Sequence, residues 1–367
     1  MNQLSWIQSM LRPHLRSFTP YASARRSMSG GSIWLNANES PFGRAYQVAT
    51  DDLNRYPDFQ NQALNKAYAD YAGVNPEQVV SHRGSDESIE LLIRTFCEPG
   101  RDQILICPPT YGMYAISAAI NHNETITVPL QKENWQLDLK GIEAALNDSA
   151  NSVKVVFLCN PSNPLGNQLR QQDMEAVIAM CAGKALVVVD EAYIEFVDQP
   201  ASTTMARYLD QYENVVVMRT LSKAFGLAGI RVGFTLANKS IVDALLPVLA
   251  PYPLPDVSVQ IARQALRLDE RLVTRQNTIE IVAEREALLT VLPTFSWVRT
   301  MVPSVTNFIL IQVENAAALM QHCQAEGILL RNQSAQLGLS ECVRITVGSP
   351  EENERLLEVL ANYAPAA

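Results

Sequence analysis

Four polar clusters in this sequence combine residue types suited to chemistry at an amine. Thr220-Leu221-Ser222-Lys223 follows the apolar run VVVM, with Gly226, Gly229 and Arg231 close behind. Taken alone, a lysine is far more often a solvated surface group than a reactive one. Asp190-Glu191-Ala192-Tyr193 follows ALVVV, and an acid ending a buried run is costly unless a cation or a hydrogen-bond donor meets it. Asn160-Pro161-Ser162-Asn163-Pro164-Leu165-Gly166 follows VKVVFLC; its two Asn-Pro steps and its glycine confine a tight loop. Gly84-Ser85-Asp86-Glu87 opens a helical pattern, whose free amides can take a phosphate provided that Asp86 and Glu87 point away. Each cluster alone has a plain structural explanation. Together they supply an amine, an acid, a phenol, an amide, hydroxyls, an arginine and a helix amino terminus. That set suits a phosphorylated, protonated pyridine aldehyde held as a Schiff base.

The elements that must position these groups are legible as alternating patterns. Gln103–Cys107, Val153–Cys159, Ala185–Val189 and Val215–Met218 are short Val/Ile-rich runs, the signature of parallel strands buried on both faces. Between them, Ile89, Leu92, Ile93 and Phe96 share one helical face, and Ile142–Leu146 and Met174–Cys181 read as helices too. Such alternation predicts a mostly parallel sheet covered by helices, with ligands beyond the carboxyl ends of the strands. The Pro-rich stretch APYPLPD at 250–256 breaks helix continuity, and a Ser/Gly tract lies at Ser27–Ser32. A long helical pattern over Val257–Leu292, strands at Asn307–Val313 and Cys342–Val347, and a helix at Ala316–Glu326 then form an α+β unit. The expected partition is an amino-terminal arm with part of a small domain (1–50), a large domain (51–250) and a small carboxy-terminal domain (251–367).

Composition narrows the function classes. With 29 Lys and Arg against 38 Asp and Glu, the net charge is −9, a poor balance for a dedicated binder of nucleic acid or anionic membrane. Any anionic ligand must be held by local positive sites. The 6 cysteines are scattered and the 4 histidines isolated, which predicts reduced thiols and no structural metal. The amino-terminal sequence lacks the apolar core of a signal peptide, and no apolar run approaches a membrane span. A soluble cytoplasmic protein is expected.

The order and spacing of the clusters resemble the fold type I pyridoxal-phosphate-dependent aminotransferases, an α/β fold. It has a large domain with a mostly parallel central sheet flanked by helices, and a smaller α+β domain built from both chain ends. The resemblance runs through TPYASARR (19–26), WLNANE (34–39), NRYPD (54–58), ELLIRTFCEPG (90–100), CPPTYGMY (107–114), DEAYIEF (190–196), RTLSKAFGLAGIRVGF (219–234) and VRITVG (343–348). It is closest to the members of that family that act on L-histidinol phosphate. It implies pyridoxal 5′-phosphate as cofactor, with Lys223 holding its aldehyde as an imine and later moving the proton between substrate Cα and cofactor C4′. Asp190 would keep the pyridine nitrogen protonated, Tyr193 and Asn163 would bond the ring hydroxyl, and Tyr111 would stack on the ring. The amides of Ser85 and Asp86, with Thr220, Ser222 and Arg231, would hold the phosphate.

The same resemblance implies that L-histidinol phosphate and 2-oxoglutarate are converted to imidazole-acetol phosphate and L-glutamate, in histidine biosynthesis. One site must then accept a phosphate ester and a carboxylate in turn. Arg344 matches the carboxylate-binding arginine of the family, Arg331 lies upstream, and an arginine fork suits either anion. Tyr21 and Tyr56 would add hydroxyl donors, Tyr56 at the neighbouring subunit's site in a homodimer. Two departures from the common pattern, Leu165 in NPLG and Ser40 in NANESP, touch none of these groups. An aromatic amino acid aminotransferase, or a decarboxylase of a phosphorylated amino acid, keeps the same fold and cofactor and stays open as an alternative. A non-catalytic cofactor-binding module is disfavoured, because Lys223, Asp190 and Arg344 are all present.

Overall fold

A computed structural model of the chain describes residues 6–22, 28 and 30–364. Residues 1–5, residues 23–26 of the TPYASARR motif, and Ser27 and Ser29 of the Ser/Gly tract lie outside it. Strands occur at Ile33–Trp34 (β1), Val79–His82 (β2), Gln103–Ile106 (β3), Glu124–Thr127 (β4), Val153–Cys159 (β5), Leu186–Asp190 (β6), Val215–Thr220 (β7), Gly233–Ala237 (β8), Val298–Val302 (β9), Phe308–Val313 (β10), Ile328–Leu329 (β11), Arg331–Asn332 (β12) and Cys342–Thr346 (β13).

The seven-stranded sheet runs in the order β2-β8-β7-β6-β5-β3-β4. Its pairs are parallel from β7 through β4, and only β8 is antiparallel to its neighbours. The Val-rich strands β5 to β7 lie at its centre because they are apolar on both faces and helices cover both. β6 and β7 extend past their apolar runs to Asp190 and Thr220. Asp190 stays in the ladder, in register with Cys159 and with Met218. Asp190 and Thr220 therefore sit on strand ends, whereas Asn163, Tyr193, Ser222 and Lys223 lie on the turns that follow β5, β6 and β7. The edge strand β2 and the reversed β8 carry no sequence signal of their own, being short and partly polar.

A second, four-stranded sheet runs β12-β13-β10-β9. The segment near the amino end packs beside it: β1 and β11 form a separate two-stranded parallel sheet, and Leu35 packs into a core with Ile309, Val343 and Val347. The helical pattern expected as one stretch over 257–292 is two helices, Asp256–Ala265 and Leu268–Val291, separated by an extended Arg267. The break serves two cores. Leu254, Val259, Ala262, Ala265 and Leu266 pack under the large sheet with Leu64 and Tyr68, while Ile281, Leu288 and Leu292 pack against the small one. The Pro-rich stretch is therefore a bend inside the large sheet's packing, and the crossover falls along the second helix. Among the described residues, no helix is long and apolar enough to cross a membrane.

Below the carboxyl ends of β6 and β7 lies a buried charge network. Arg219 donates to Glu191 at 2.8 Å and stands 3.6 Å from Glu195. Glu191, fully buried, also accepts from the Thr204 hydroxyl at 2.7 Å and the Met205 amide at 2.6 Å. Removing one partner of such a pair strands a charge in a low-dielectric interior, at a cost of about 3–5 kcal/mol. Arg219→Met is expected to lower the stability of the cofactor-free chain by that amount, read as the midpoint of urea unfolding. A change below 1 kcal/mol would mean that the network is neutralised by protons rather than by the arginine.

Candidate active site

Beyond the carboxyl ends of β5, β6 and β7 lies a cavity of about 190 Å³, closed on its far side by residues 36–38 and by Arg331 and Arg344 of the small sheet. Of the expected site residues, Tyr21, Ser85, Asp86, Tyr111, Asn163, Asp190, Tyr193, Thr220, Ser222, Lys223, Arg231, Arg331 and Arg344 all line it. Tyr56 does not. It is 79% exposed and stacks on Tyr252 with ring centroids 4.3 Å apart. The irregular segment around it runs along the chain's surface, tied at Ala49 and Gln47 to Gln260 and Gln264.

At one end of the cavity, the helix Ser85–Phe96 begins after Gly84, whose φ is +74°. A Cβ on Gly84 would fall 2.6 Å from Arg231 Nη2, and one on Gly233 would fall 2.7 Å from the Ser85 nitrogen. Only glycine at both positions lets this turn lie against β8 and beside the guanidinium. Thr220 Oγ1 donates to Ser222 Oγ at 2.9 Å, and Arg231 Nη1 approaches Ser222 Oγ at 3.4 Å. Glu87 turns away to pair with Arg83 at 2.6 Å. Asp86 does not turn away; it lies 3.4 Å from Arg231 Nη2 and accepts from the Tyr111 hydroxyl at 2.9 Å. Two hydroxyls, a guanidinium and a helix amino terminus thus converge on one spot, the donor set that a phosphate dianion requires.

At the opposite end, Asp190 is 4% exposed. Its Oδ2 accepts from the Tyr114 hydroxyl at 2.7 Å and its Oδ1 from the Ala192 amide at 3.2 Å. Burial raises its pKa to about 6, against these two bonds. Between the two ends sits Lys223, with Nζ donating to the Ala37 carbonyl at 2.9 Å and lying 5.7 Å from the centre of the Tyr193 ring. Desolvation, joined by the Arg344 and Arg231 charges, lowers its pKa to about 8, although Glu39 and Asp86 pull the other way. The Tyr193 hydroxyl accepts from Asn38 Nδ2 at 2.9 Å and Asn163 Nδ2 at 3.3 Å; burial pushes its pKa up while Arg344 and Asn38 pull it back.

Arg344 enters from β13, 7% exposed. Nη1 donates to Asn163 Oδ1 at 2.6 Å and Nη2 to the Asn36 carbonyl at 3.1 Å. Arg331 donates to the Ala22 carbonyl, beside Tyr21, whose ring meets Tyr111 edge-on at 6.1 Å. Asn36, Ala37, Asn38, Cys159 and Ala192 also line the cavity, and sequence reasoning assigned none of them. Asn36 and Asn38 stand two apart in WLNANE, a spacing that gives a shared face only in a strand; here the backbone bends at Asn36 and Asn38 has a φ of +54°, so alternation did not reveal their place in the cavity. Nothing local marks Tyr114, which reads as one more aromatic on a helix.

A carboxylate at one end, an anion cup at the other and an amine between them define a pyridoxal-phosphate enzyme of the α/β transferase type, and the donor set fits that cofactor end to end. The chain belongs to the aminotransferase class I and II family, whose profile matches residues 31–360; enzymes of this family depend on pyridoxal phosphate. Within it, the chain groups with the histidinol-phosphate aminotransferases. It is 52% identical to histidinol-phosphate aminotransferase 2 of Idiomarina loihiensis, over 98% of this chain and 99% of that one. It is 47% identical to the histidinol-phosphate aminotransferase of Shigella sonnei, over 96% and 97%. Its structure matches that of histidinol-phosphate aminotransferase from Sinorhizobium meliloti in complex with pyridoxal-5′-phosphate with a TM-score of 0.83 at 26% identity, covering 97% of this chain and 99% of that one.

Proposed function

We propose that this cavity transfers the amino group of L-histidinol phosphate to 2-oxoglutarate, giving imidazole-acetol phosphate and L-glutamate in histidine biosynthesis. The observation that carries the reading is a buried Arg344 facing the same cavity as Lys223 and Asp190, in a chain about half identical to enzymes named for that substrate. Pyridoxal phosphate, when bound, supplies an aldehyde for imine exchange and a protonated ring that takes up the electron pair released as the substrate Cα–H bond breaks.

This chain's residues do the rest. Asp190, as a buried anion, holds the proton on the ring nitrogen. Tyr193 and Asn163 bond the ring hydroxyl, and Tyr111 covers one face of the ring. The amides of Ser85 and Asp86, with Thr220, Ser222 and Arg231, hold the phosphate and so fix the ring's distance from Lys223. The Lys223 amine, with a pKa near 8, is partly neutral at physiological pH; it would take the proton from substrate Cα and give it to cofactor C4′, on the other side of the nitrogen. Arg344 and Arg331, with Tyr21, hold the phosphate ester of one substrate and the carboxylate of the other. A second copy of the chain supplies Tyr56, so the working unit is a homodimer. The six free, buried cysteines suit a reducing cytoplasm.

The absorption spectrum of the cofactor-loaded protein tests this reading. L-Histidinol phosphate added without a keto acid should bleach the near-visible cofactor band, and 2-oxoglutarate should restore it. A band untouched by this amine would move the assignment to an aromatic amino acid or a phosphorylated amino acid. Absence of any band after adding pyridoxal phosphate would remove Lys223 from its role. For Arg344→Ala, kcat/KM should fall at least about 10- to 100-fold for both substrates, since each loses charge-assisted bonds worth about 1.5–3 kcal/mol. Loss for only one of them would mean that the two anions use separate sites.

A further inference from the structure

We propose that Tyr114 is a positioning residue for the pyridine end of the cofactor, its buried phenol donating to Asp190 so that the carboxylate stays anionic and aimed into the cavity. This rests on the reading of Asp190 as the partner of the ring nitrogen. Tyr114 lies outside the cavity wall, wholly buried on the helix Met113–Asn121, and the mechanism above makes no use of it. Its ring stacks on Phe157 of β5, with centroids 4.7 Å apart and planes 7° from parallel. Its other aromatic neighbour, Tyr111, meets it edge-on at 5.7 Å. The aromatic clamp leaves the hydroxyl little freedom, and it points at Asp190 Oδ2 from 2.7 Å.

The direction of that bond follows from the groups. A carboxylate can only accept, so the phenol's single proton goes to Asp190. With the Ala192 amide on Oδ1, one donor holds each oxygen and fixes the plane of the carboxylate, leaving further lone pairs toward the cavity that Asp190 lines.

The other groups around Asp190 oppose its ionisation or are neutral. Asp86, across the cavity, and Glu191, next in the chain, both raise its proton affinity beyond the effect of burial. The Cys159 thiol on β5 is held neutral by burial, and Lys223 Nζ donates to the Ala37 carbonyl rather than to this carboxylate. Tyr114 is thus the one side chain found donating to this carboxylate among the described residues. Without it, Asp190 would take up a proton nearer neutral pH and lose its grip on the ring nitrogen.

The experiment is a cycle of four proteins: unsubstituted, Tyr114→Phe, Asp190→Asn and the double variant. Each is titrated in cofactor-free form with pyridoxal phosphate across pH 5–8.5. Tyr114→Phe keeps the ring on Phe157. It should weaken pyridoxal-phosphate affinity about tenfold at neutral pH, as expected for a lost bond to a charged group, and should move the acid-side midpoint of binding upward. In the Asp190→Asn background the same change should alter affinity less than about twofold and move no midpoint. Equal losses in both backgrounds, or no loss in the first, would overturn the proposal. Unchanged affinity in Asp190→Asn itself would instead overturn the reading of Asp190. Should Phe at 114 prevent folding, 3-fluorotyrosine placed there, a stronger donor of the same shape, should move the acid-side midpoint downward; an upward or absent shift would count against the proposal.

Discussion

Lys223→Ala is expected to abolish multiple turnover, lowering kcat by about 10⁴-fold or more, while the fold persists. Amine catalysis at this site needs a nucleophile that is neutral part of the time and a base within reach of Cα, and one side chain provides both. The surroundings explain why it can. The lysine is desolvated, Arg344 and Arg231 disfavour its charge, and its Nζ rests on a backbone carbonyl rather than on a carboxylate. The sign of its linkage to stability is also set. Its folded pKa, about 8, lies below the usual lysine value of 10.5, so its contribution is fully present above pH 10.5 and is lost as pH falls through 8. Near pH 7 the ammonium therefore strains the cofactor-free fold, and Ala at 223 should leave the melting temperature unchanged or raise it. Steady-state turnover near that of the unsubstituted enzyme would sink the mechanism, and a collapse in melting temperature would reverse the electrostatic argument.

Asp190→Asn should divide function from stability in the same way. Turnover is expected to fall about 10³-fold, because an amide cannot hold a proton on the ring nitrogen by charge, and preorganised electrostatics of this kind is among the larger catalytic effects. The cofactor-free chain should become more stable at pH 7–8. Burial raises the Asp190 pKa from 3.8 to about 6, so the stability it contributes is fully present below pH 3.8 and is lost as pH rises through 6. Above that range the anion costs the cofactor-free fold on the order of 3 kcal/mol, which asparagine avoids. The predicted gain is a few degrees in melting temperature at pH 7.5 and none at pH 4. A loss of stability at pH 7.5 would show that Tyr114 and Ala192 already offset the burial of the charge.

Both predictions describe a site whose strain in the empty chain is relieved by its ligand. The phosphate cup has the complementary character: Arg231 and Asp86 stand 3.4 Å apart, and an arriving dianion must compete with that carboxylate for the guanidinium. Phosphate affinity should therefore be sensitive to Asp86 as well as to the donors around it.

The sequence by itself determined the class of chemistry and named most of the residues that line the cavity. The Val/Ile-rich runs predicted β3, β5, β6 and β7 because a strand buried on both faces must be apolar throughout, a demand each short segment meets locally. The polar clusters just beyond them followed from the same rule, since strand ends are where a parallel sheet opens toward ligand. Motif order then linked Lys223, Asp190, Asn163 and Arg344 to one family. What only the tertiary structure decided depends on distant pairings. Asn38 reaches Tyr193 across 155 positions of sequence, and Arg344 reaches Asn163 across 181; no local pattern encodes such contacts. The break at Arg267 answers two cores that meet along one helix, which periodicity averages into a single stripe. Asp86 facing the anion cup, Tyr56 held away from its own chain's cavity and Tyr114 donating to Asp190 likewise depend on side-chain direction. Direction is set by the packing of elements far apart in the chain, so the residue type was legible and its partner was not.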